Sequence, residues 1–328
     1  MRICIFGAGA SGGFCAVRLA GAGHNVSVVA RGEHLQAIRK NGLSLLAGDT
    51  VETCVPRASD DPRDLGPQDL VLVATKSTAL PAVAMGLEKL VQADTLVAFP
   101  QNGMGWWYRV GLPPDKPPPP ELRLFALARS FTALLRPAQI IGGSFYTANA
   151  VTAPGQVRNA SPGQNAIALG EIAPEGAEAA SGLRTMFAEA GIAAMPVADI
   201  RATLWGKLVV NLTGSVIALA TENPSSVSRT DPDLGRVYLR AVGEAMAIAA
   251  AHGYPLDAML DPLALQSRLL AHRPSLLQDF EAGRAMELAS IVQAPLAFAR
   301  SAGVDTPTLD TLAAIVMRRA RDRGLFSD

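Results

Sequence analysis

The sequence predicts a doubly wound α/β domain over residues 1–198, followed by an all-helical domain over residues 199–328. Three observations carry that reading. A glycine-rich turn stands between a strand and a helix at the N-terminus, and apolar runs alternate with amphipathic stretches through the first hundred residues. Beyond residue 198, only helical periodicity remains.

Taken in order, "RICIF" (2–6) reads as a buried strand, "GAGASGG" as a turn, and "FCAVRLAGAG" as a helix stopped by Gly21 and Gly23. "HNVSVVA" (24–30) is a second strand, which completes a βαβ unit within thirty residues. "LSLLAG" and "TVETCV" read as a small hairpin. "DLVLVAT" (69–75) and "DTLVAFP" (94–100) are apolar runs separated by an amphipathic stretch, as in a parallel sheet covered on both faces. "LPPDKPPPP" (112–120) reads as a surface loop, and residues 140–172 as strands and turns. Helices are then expected in "ATLWGKLVVNLTGSVIALA", "LGRVYLRAVGEAMAIAAAHG", "PSLLQDFEAG", "AMELASIVQAPLAFARSAG" and "DTLAAIVMRRARD".

Composition bounds the function. A chain of 328 residues exceeds one ordinary core, and 49% hydrophobic residues supply material for two. Lys plus Arg equals Asp plus Glu at 29 each, with no basic half, which argues against nucleic-acid or anionic-membrane partners. Cys4, Cys15 and Cys54 and the four histidines form no disulfide framework and no metal-ligand spacing, so no metal is expected and a cytoplasmic location is the simplest reading. The N-terminal apolar residues run straight into the glycine turn and serve as a strand rather than a signal peptide. No apolar run approaches the roughly 18–20 residues of a membrane span, so none is expected.

Gly7, Gly9 and Gly12 form G-x-G-x-x-G between a strand and a helix. The first glycine permits a tight turn, the second admits a pyrophosphate to the backbone, and the third lets helix and strand pack closely. The free N–H groups of the helix start then face the phosphates. This spacing predicts dinucleotide binding. NAD and FAD sites place an acid at the end of the second strand, but here that strand ends "VVAR". Arg31, with Lys76 after the strand "LVLVAT", favours a 2′-phosphate and therefore NADP(H). Asn102 and Gly103 follow the next apolar strand at its carboxyl end, where open α/β sheets place ligands, although the pair also makes an ordinary turn.

In "WGKLVVNLTGS", Lys207, Asn211 and Ser215 stand at steps of four in an otherwise apolar helix. Each step advances only ~40°, so the three share a face. A buried helix must turn such a stripe toward partners or a cavity. Spacing does not separate a cavity wall from a buried network with Lys207 reaching to solvent. In "RPSLLQDFEAGRAMEL" (273–288), Ser275 and Gln278 fit a capping box, and Glu287 fits a surface pair with Arg284.

The glycine loop, Arg31, "TK" (75–76), "NGMG" (102–105), "GKLVVN" (206–211) and "RPSLLQDFEAGRAME" (273–287) occur in that order. Together they resemble the ketopantoate reductase (2-dehydropantoate 2-reductase) family over nearly the whole chain. That resemblance implies a Rossmann domain joined to a helical domain, with NADPH and substrate in the cleft between them. It implies Arg31 and Lys76 on the adenosine 2′-phosphate, Asn102 at nicotinamide and substrate, and Lys207 as the catalytic lysine with Asn211 its neighbour. Ser275 would meet the substrate carboxylate and Glu287 would work beside the lysine, its carboxylate raising an amine pKa that burial lowers. The implied activity is NADPH-dependent reduction of a 2-oxo acid, 2-dehydropantoate foremost, in pantothenate biosynthesis. A reductase or dehydrogenase of another 2-oxo or 2-hydroxy acid, or an NADP sensor, would use the same fold. Apolar faces of the helical domain suit a homodimer.

The match departs from the family at several points. Ser215 and Ser225 stand where the family carries asparagines for the pantoyl part, and Glu287 is followed by "LASIVQ". Trp106 and Trp107 stand where the family tends to be polar, which leaves a substrate cover, a buried insertion or a subunit contact open.

Overall fold

The computed structural model describes residues 1–327. The chain forms two compact units, one of residues 1–101 and 126–200 and the other of residues 102–125 and 201 onward.

The first unit opens with β1 (Arg2–Phe6), α1 (Ala10–Gly21), β2 (Asn25–Val29) and α2 (Gly32–Asn41). The hairpin β3 (Leu43–Ala47) and β4 (Thr50–Cys54) follows, then β5 (Arg57–Ser59), β6 (Leu70–Val73), α3 (Leu80–Leu87) and β7 (Leu96–Phe99). After the excursion into the second unit come α4 (Leu127–Thr132), β8 (Ile140–Tyr146), β9 (Asn149–Ala153), β10 (Gln156–Asn159), β11 (Ala166–Glu171), α5 (Ala177–Glu189) and β12 (Ala193–Ala194). Eight strands form one sheet in the order β12-β11-β8-β7-β6-β1-β2-β5. The strands from β5 to β8 run parallel, and β11 turns antiparallel against β8. Ile3, Ile5, Val28, Leu70 and Leu72 are fully buried, as central strands covered on both faces require.

A second sheet, β4-β3-β10-β9, joins the expected hairpin to strands about a hundred residues away. Helix α1 lies between the two sheets, against β1 and β2 on one side and β3 and β10 on the other. Two consecutive glycines make this possible. A Cβ on Gly12 would sit 1.9 Å from the Gly7 carbonyl oxygen, and one on Gly13 would sit 2.7 Å from Val157 Cγ2. Arg18 on α1 also pairs with Glu52 on β4 at 3.2 Å.

The second unit holds the helices. The division that the sequence predicts at 198/199 places residues 102–125 in the first unit, whereas they pack with the second. The reason is aromatic. Arg201 donates from Nε to the Tyr108 carbonyl at 2.9 Å, and Trp205 Nε1 donates to Tyr108 Oη at 3.1 Å. The Tyr108 and Trp205 rings each meet Phe298 edge-on at 5.2 Å. Trp106 and Trp107 are both 1% exposed, so they are core residues of this segment. The proline-rich loop is tied down by Lys116, which donates to the Gly253 carbonyl at 2.7 Å and lies over the Tyr254 ring.

The expected long helix is α6 (Ile200–Val210), a π turn (Asn211–Ser215) and α7 (Val216–Thr221). Contrary to the reading of the sequence, this 22-residue stretch is long and apolar enough to cross a membrane. It is mostly buried, with Leu204, Trp205, Leu208, Val209, Leu212 and Val216 no more than 2% exposed, so packing inside the unit accounts for its apolarity. Beyond it come α8 (Val227–Thr230), α9 (Pro232–Ala251), α10 (Pro262–Ser267), α11 (Ser275–Glu281), a second π turn (Ala289–Gln293), α12 (Ala294–Ala302) and α13 (Pro307–Asp322). The predicted helix over 285–303 therefore begins later, and in a widened turn.

Gly12→Ala is expected to lower stability by about 3 kcal/mol, because the added methyl meets backbone that cannot rotate away. Gly21→Ala, where a Cβ meets nothing within 4 Å, is expected to leave the thermal midpoint unchanged or raised. Calorimetry on both variants checks the pair.

Candidate active site

In the first unit, β2, β1 and β6 lie side by side and end level, with Phe6 registered against both Val29 and Val73. The chain passes from β1 to β2 on one side and later to β6 on the other, so strand order reverses at β1. Open α/β sheets bind ligands at the carboxyl end of such a point. The glycine loop, Arg31 and Lys76 leave these three strand ends in turn.

Each loop glycine has its own constraint. Gly7 has φ +102°, and a Cβ there would meet Thr75 Cγ2 at 2.6 Å. Gly9 caps α1, no side chain caps the helix, and an added Cβ would meet nothing within 4 Å. Gly12 closes helix onto loop as described above. The Gly7 and Ala8 N–H groups both donate to the Val29 carbonyl, at 3.0 and 3.2 Å. Arg31 is exposed and caps α2, and it follows Ala30 rather than an acid. Lys76 is half-buried ahead of the short 3-10 turn Ser77–Ala79. At the ends of β6 and β7, Thr75 Oγ1 and Gln101 Nε2 are buried without a hydrogen-bond partner. Orphaned polar atoms, an uncapped helix start and an open glycine fit a phosphate-bearing dinucleotide.

In the second unit, Lys207 is near the end of α6 and Asn211 opens the first π turn, both half-buried, while Ser215 closes the turn at 8% exposed. The widened turn changes the geometry of the stripe. Four α-helical steps overshoot a full turn by ~40°, whereas in a π turn they fall short of one. The drift gained between Lys207 and Asn211 is thus reversed by Ser215, and the three align more closely than in a straight helix. Thr213 and Gly214 suit the distortion, since Thr213 Oγ1 donates to the Val209 carbonyl at 2.8 Å. Burial pushes the Lys207 amine down to about 8. The expected carboxylate influence does not return it to the ordinary lysine range. His272 is also lowered, by desolvation and then by the Lys207 charge, and its carbonyl accepts the Ser225 N–H at 3.1 Å.

Glu287 is half-buried just before the second π turn. The Met286 N–H donates to the Leu325 carbonyl at 3.0 Å, and the Glu287 carbonyl accepts the Ile291 N–H at 3.1 Å and the Ser290 hydroxyl at 3.2 Å. The Asn102 turn is seated on the same π turn. The Met104 N–H donates to the Ser290 carbonyl at 2.8 Å, and a Cβ on Gly103 would lie 2.5 Å from Ser290 Oγ. The two π turns pack against each other, and α11 packs against the first. The elements carrying Asn102, Lys207, Asn211, Ser215, Ser275 and Glu287 are therefore brought together within one unit.

Both surface alternatives for the distal residues fail. Ser275 is the first residue of α11 and exposed, Pro274 is the cap, and Gln278 donates instead to the Arg273 carbonyl at 2.7 Å, so no capping box forms. Arg284 pairs with the buried Asp279 at 2.9 Å rather than with Glu287. The π turns, His272 and Ser290 were missed. Only Thr213-Gly214 carried a signal of the first π turn.

The family model described as "Ketopantoate reductase PanE/ApbA" matches residues 3–108, and its C-terminal counterpart matches residues 199–320. The chain is 34% identical to the 2-dehydropantoate 2-reductase of Mesorhizobium japonicum over the full length of both. Among solved structures, a candidate ketopantoate reductase from Ralstonia solanacearum MolK2 is 32% identical, covers 99% of each chain and superposes with a TM-score of 0.87. D-mandelate dehydrogenase, solved with NADH and anilino(oxo)acetate, is 21% identical with a TM-score of 0.86 over 99% of this chain and 100% of that one, and shares the fold. With both halves matched and a relative of this identity over its whole length, the chain belongs to the ketopantoate reductase family of oxidoreductases.

Proposed function

We propose that this enzyme reduces a 2-oxo acid, 2-dehydropantoate foremost, to the 2-hydroxy acid with NADPH, the reaction that supplies pantoate to pantothenate biosynthesis. The observation that carries this reading is Lys207, an amine brought by burial to about 8 on the helix whose π turn packs against the one that follows Glu287 and seats the Asn102 turn. The first unit holds the cofactor, with Arg31 and Lys76 on the 2′-phosphate and Gly7, Gly9 and Gly12 at the pyrophosphate. The second unit supplies the acid and the substrate contacts.

A bound reduced nicotinamide supplies the hydride. As the carbonyl carbon accepts it, the carbonyl electron pair moves onto oxygen. Lys207 Nζ stabilises that charge and gives up its proton, leaving a hydroxyl and a neutral amine that regains a proton from solvent. An amine near 8 donates more readily than an ordinary lysine yet remains mostly protonated at pH 7. Asn211 and Asn102 orient carbonyl and nicotinamide, Ser215 and Ser275 meet the far end and carboxylate of the substrate, and Glu287 holds the amine and the product hydroxyl.

The reading is tested by NADPH oxidation at 340 nm against 2-dehydropantoate and a panel of other 2-oxo acids. Turnover confined to another acid would make Ser215 and Ser225 a change of specificity. The reductive kcat/KM is expected to fall as pH rises through about 8, because the ammonium is the active form. Oxidation of the hydroxy acid needs the neutral amine and should rise over the same window. Lys207→Ala is expected to lower kcat by roughly 10²–10⁴ and to abolish that pH step, with NADPH affinity little changed. Arg31→Ala should weaken NADPH by roughly tenfold or more and leave NADH nearly untouched, which fluorescence titration with both cofactors reads directly.

A further inference from the structure

His34 lies in the first turn of α2, three residues after Arg31 and half-buried. Both ring nitrogens are engaged. Nε2 is 2.7 Å from the Ala8 carbonyl oxygen, and Nδ1 is 3.1 Å from the Gly155 backbone nitrogen, which donates to it. A carbonyl oxygen only accepts and a backbone N–H only donates. The ring must therefore carry its proton on Nε2 and a lone pair on Nδ1, the one tautomer that satisfies both partners.

The two partners belong to different structures. Gly155 closes the β9–β10 turn with φ +75°, and its own carbonyl accepts the Ser44 N–H at 2.9 Å. Ala8 is in the glycine loop, and its carbonyl belongs to the peptide that joins it to Gly9. In a planar trans peptide the C=O and the N–H point in opposite directions. A hydrogen bond that holds the Ala8 oxygen toward His34 therefore turns the Gly9 N–H away from it. The Gly7 and Ala8 N–H groups are already spent on Val29, so the Gly9 peptide is the first in the loop left to face a ligand.

We propose that His34 is a positioning residue for the cofactor: its Nε2–H fixes the Ala8–Gly9 peptide plane and so presets the Gly9 N–H for the dinucleotide's pyrophosphate. The proposal rests on the glycine loop being the cofactor cradle. It assigns separate jobs to the two ring nitrogens, Nε2 for the ligand and Nδ1 for the tie between the two sheets.

Asparagine and glutamine separate those jobs. The Asn side chain ends where Nδ1 was, so His34→Asn keeps an acceptor for the Gly155 N–H and loses the Ala8 bond. The Gln amide reaches where Nε2 was, so His34→Gln keeps a donor for Ala8. With the full-length protein, isothermal titration with NADPH is expected to show His34→Asn bound roughly tenfold more weakly, with kcat at saturating NADPH and the thermal midpoint near those of the unaltered protein. His34→Gln is expected to bind within about twofold of it. Equal affinities in all three proteins, or loss in His34→Gln with retention in His34→Asn, would overturn the role. An unaltered protein that bound neither NADPH nor NADH would overturn the cofactor reading and His34 with it, an outcome distinct from binding that the substitutions fail to disturb.

Discussion

The closest constraint in the first unit is the squeeze on the start of α1. Gly12 brings the helix onto the Gly7 carbonyl, and Gly13 brings its other side onto Val157 in the small sheet. A helix gripped from both faces cannot rock, so the direction of its first N–H groups is set before any ligand arrives. The loop that leads into this helix leaves β1 where β2, β1 and β6 end level, with Phe6 registered against Val29 and Val73. The small sheet, which contributes nothing to the parallel strand order, thereby helps to hold the start of α1 and its glycine loop in place.

The second unit is organised around a different tension. Placing an ammonium against an apolar helix lowers the Lys207 amine to about 8, a displacement of roughly 3 kcal/mol against the charged form. By linkage, the folded protein carries this penalty in full below that value, and the penalty fades as pH rises through it toward the ordinary lysine range. A fold that needed only stability would put an apolar residue there. The surrounding backbone is unusual as well, since the residues after both Lys207 and Glu287 enter π turns, and the two turns support each other. Widened turns of this kind concentrate at functional sites, where they re-aim side chains at the expense of regular hydrogen bonding.

Much of this was legible in the sequence, for identifiable reasons. The βαβ opening and the roles of Gly7, Gly9 and Gly12 follow from local spacing, and local spacing survives into the fold. The stripe of Lys207, Asn211 and Ser215 was legible as a shared face, but its true alignment was not, because a helical wheel assumes one residue advance throughout. Ser275 and Glu287 had respectable surface explanations that only the partners of Gln278 and Arg284 remove. Gly13, His34 and the β3–β10 pairing were invisible for a common reason: each takes its meaning from chain more than a hundred residues away. The membrane-length apolarity of residues 200–221 is a property of the average composition, because Lys207, Asn211 and Ser215 interrupt the run and leave no unbroken apolar stretch to mark it.

The detour of residues 102–125 has a consequence for how the protein is made. This segment leaves the ribosome well before the helices that bury Trp106, Trp107 and Tyr108 exist. A nascent chain must hold three adjacent aromatics without their partners while the rest of the first unit is still being synthesised. The first unit, in turn, must close across that gap to add β8 and β11 to its sheet. Folding is therefore interleaved rather than sequential, with long-range contacts formed late. A fragment cut after residue 198 would not be a tidy half-protein but a sheet domain trailing an unsheltered aromatic loop, prone to stick to its neighbours.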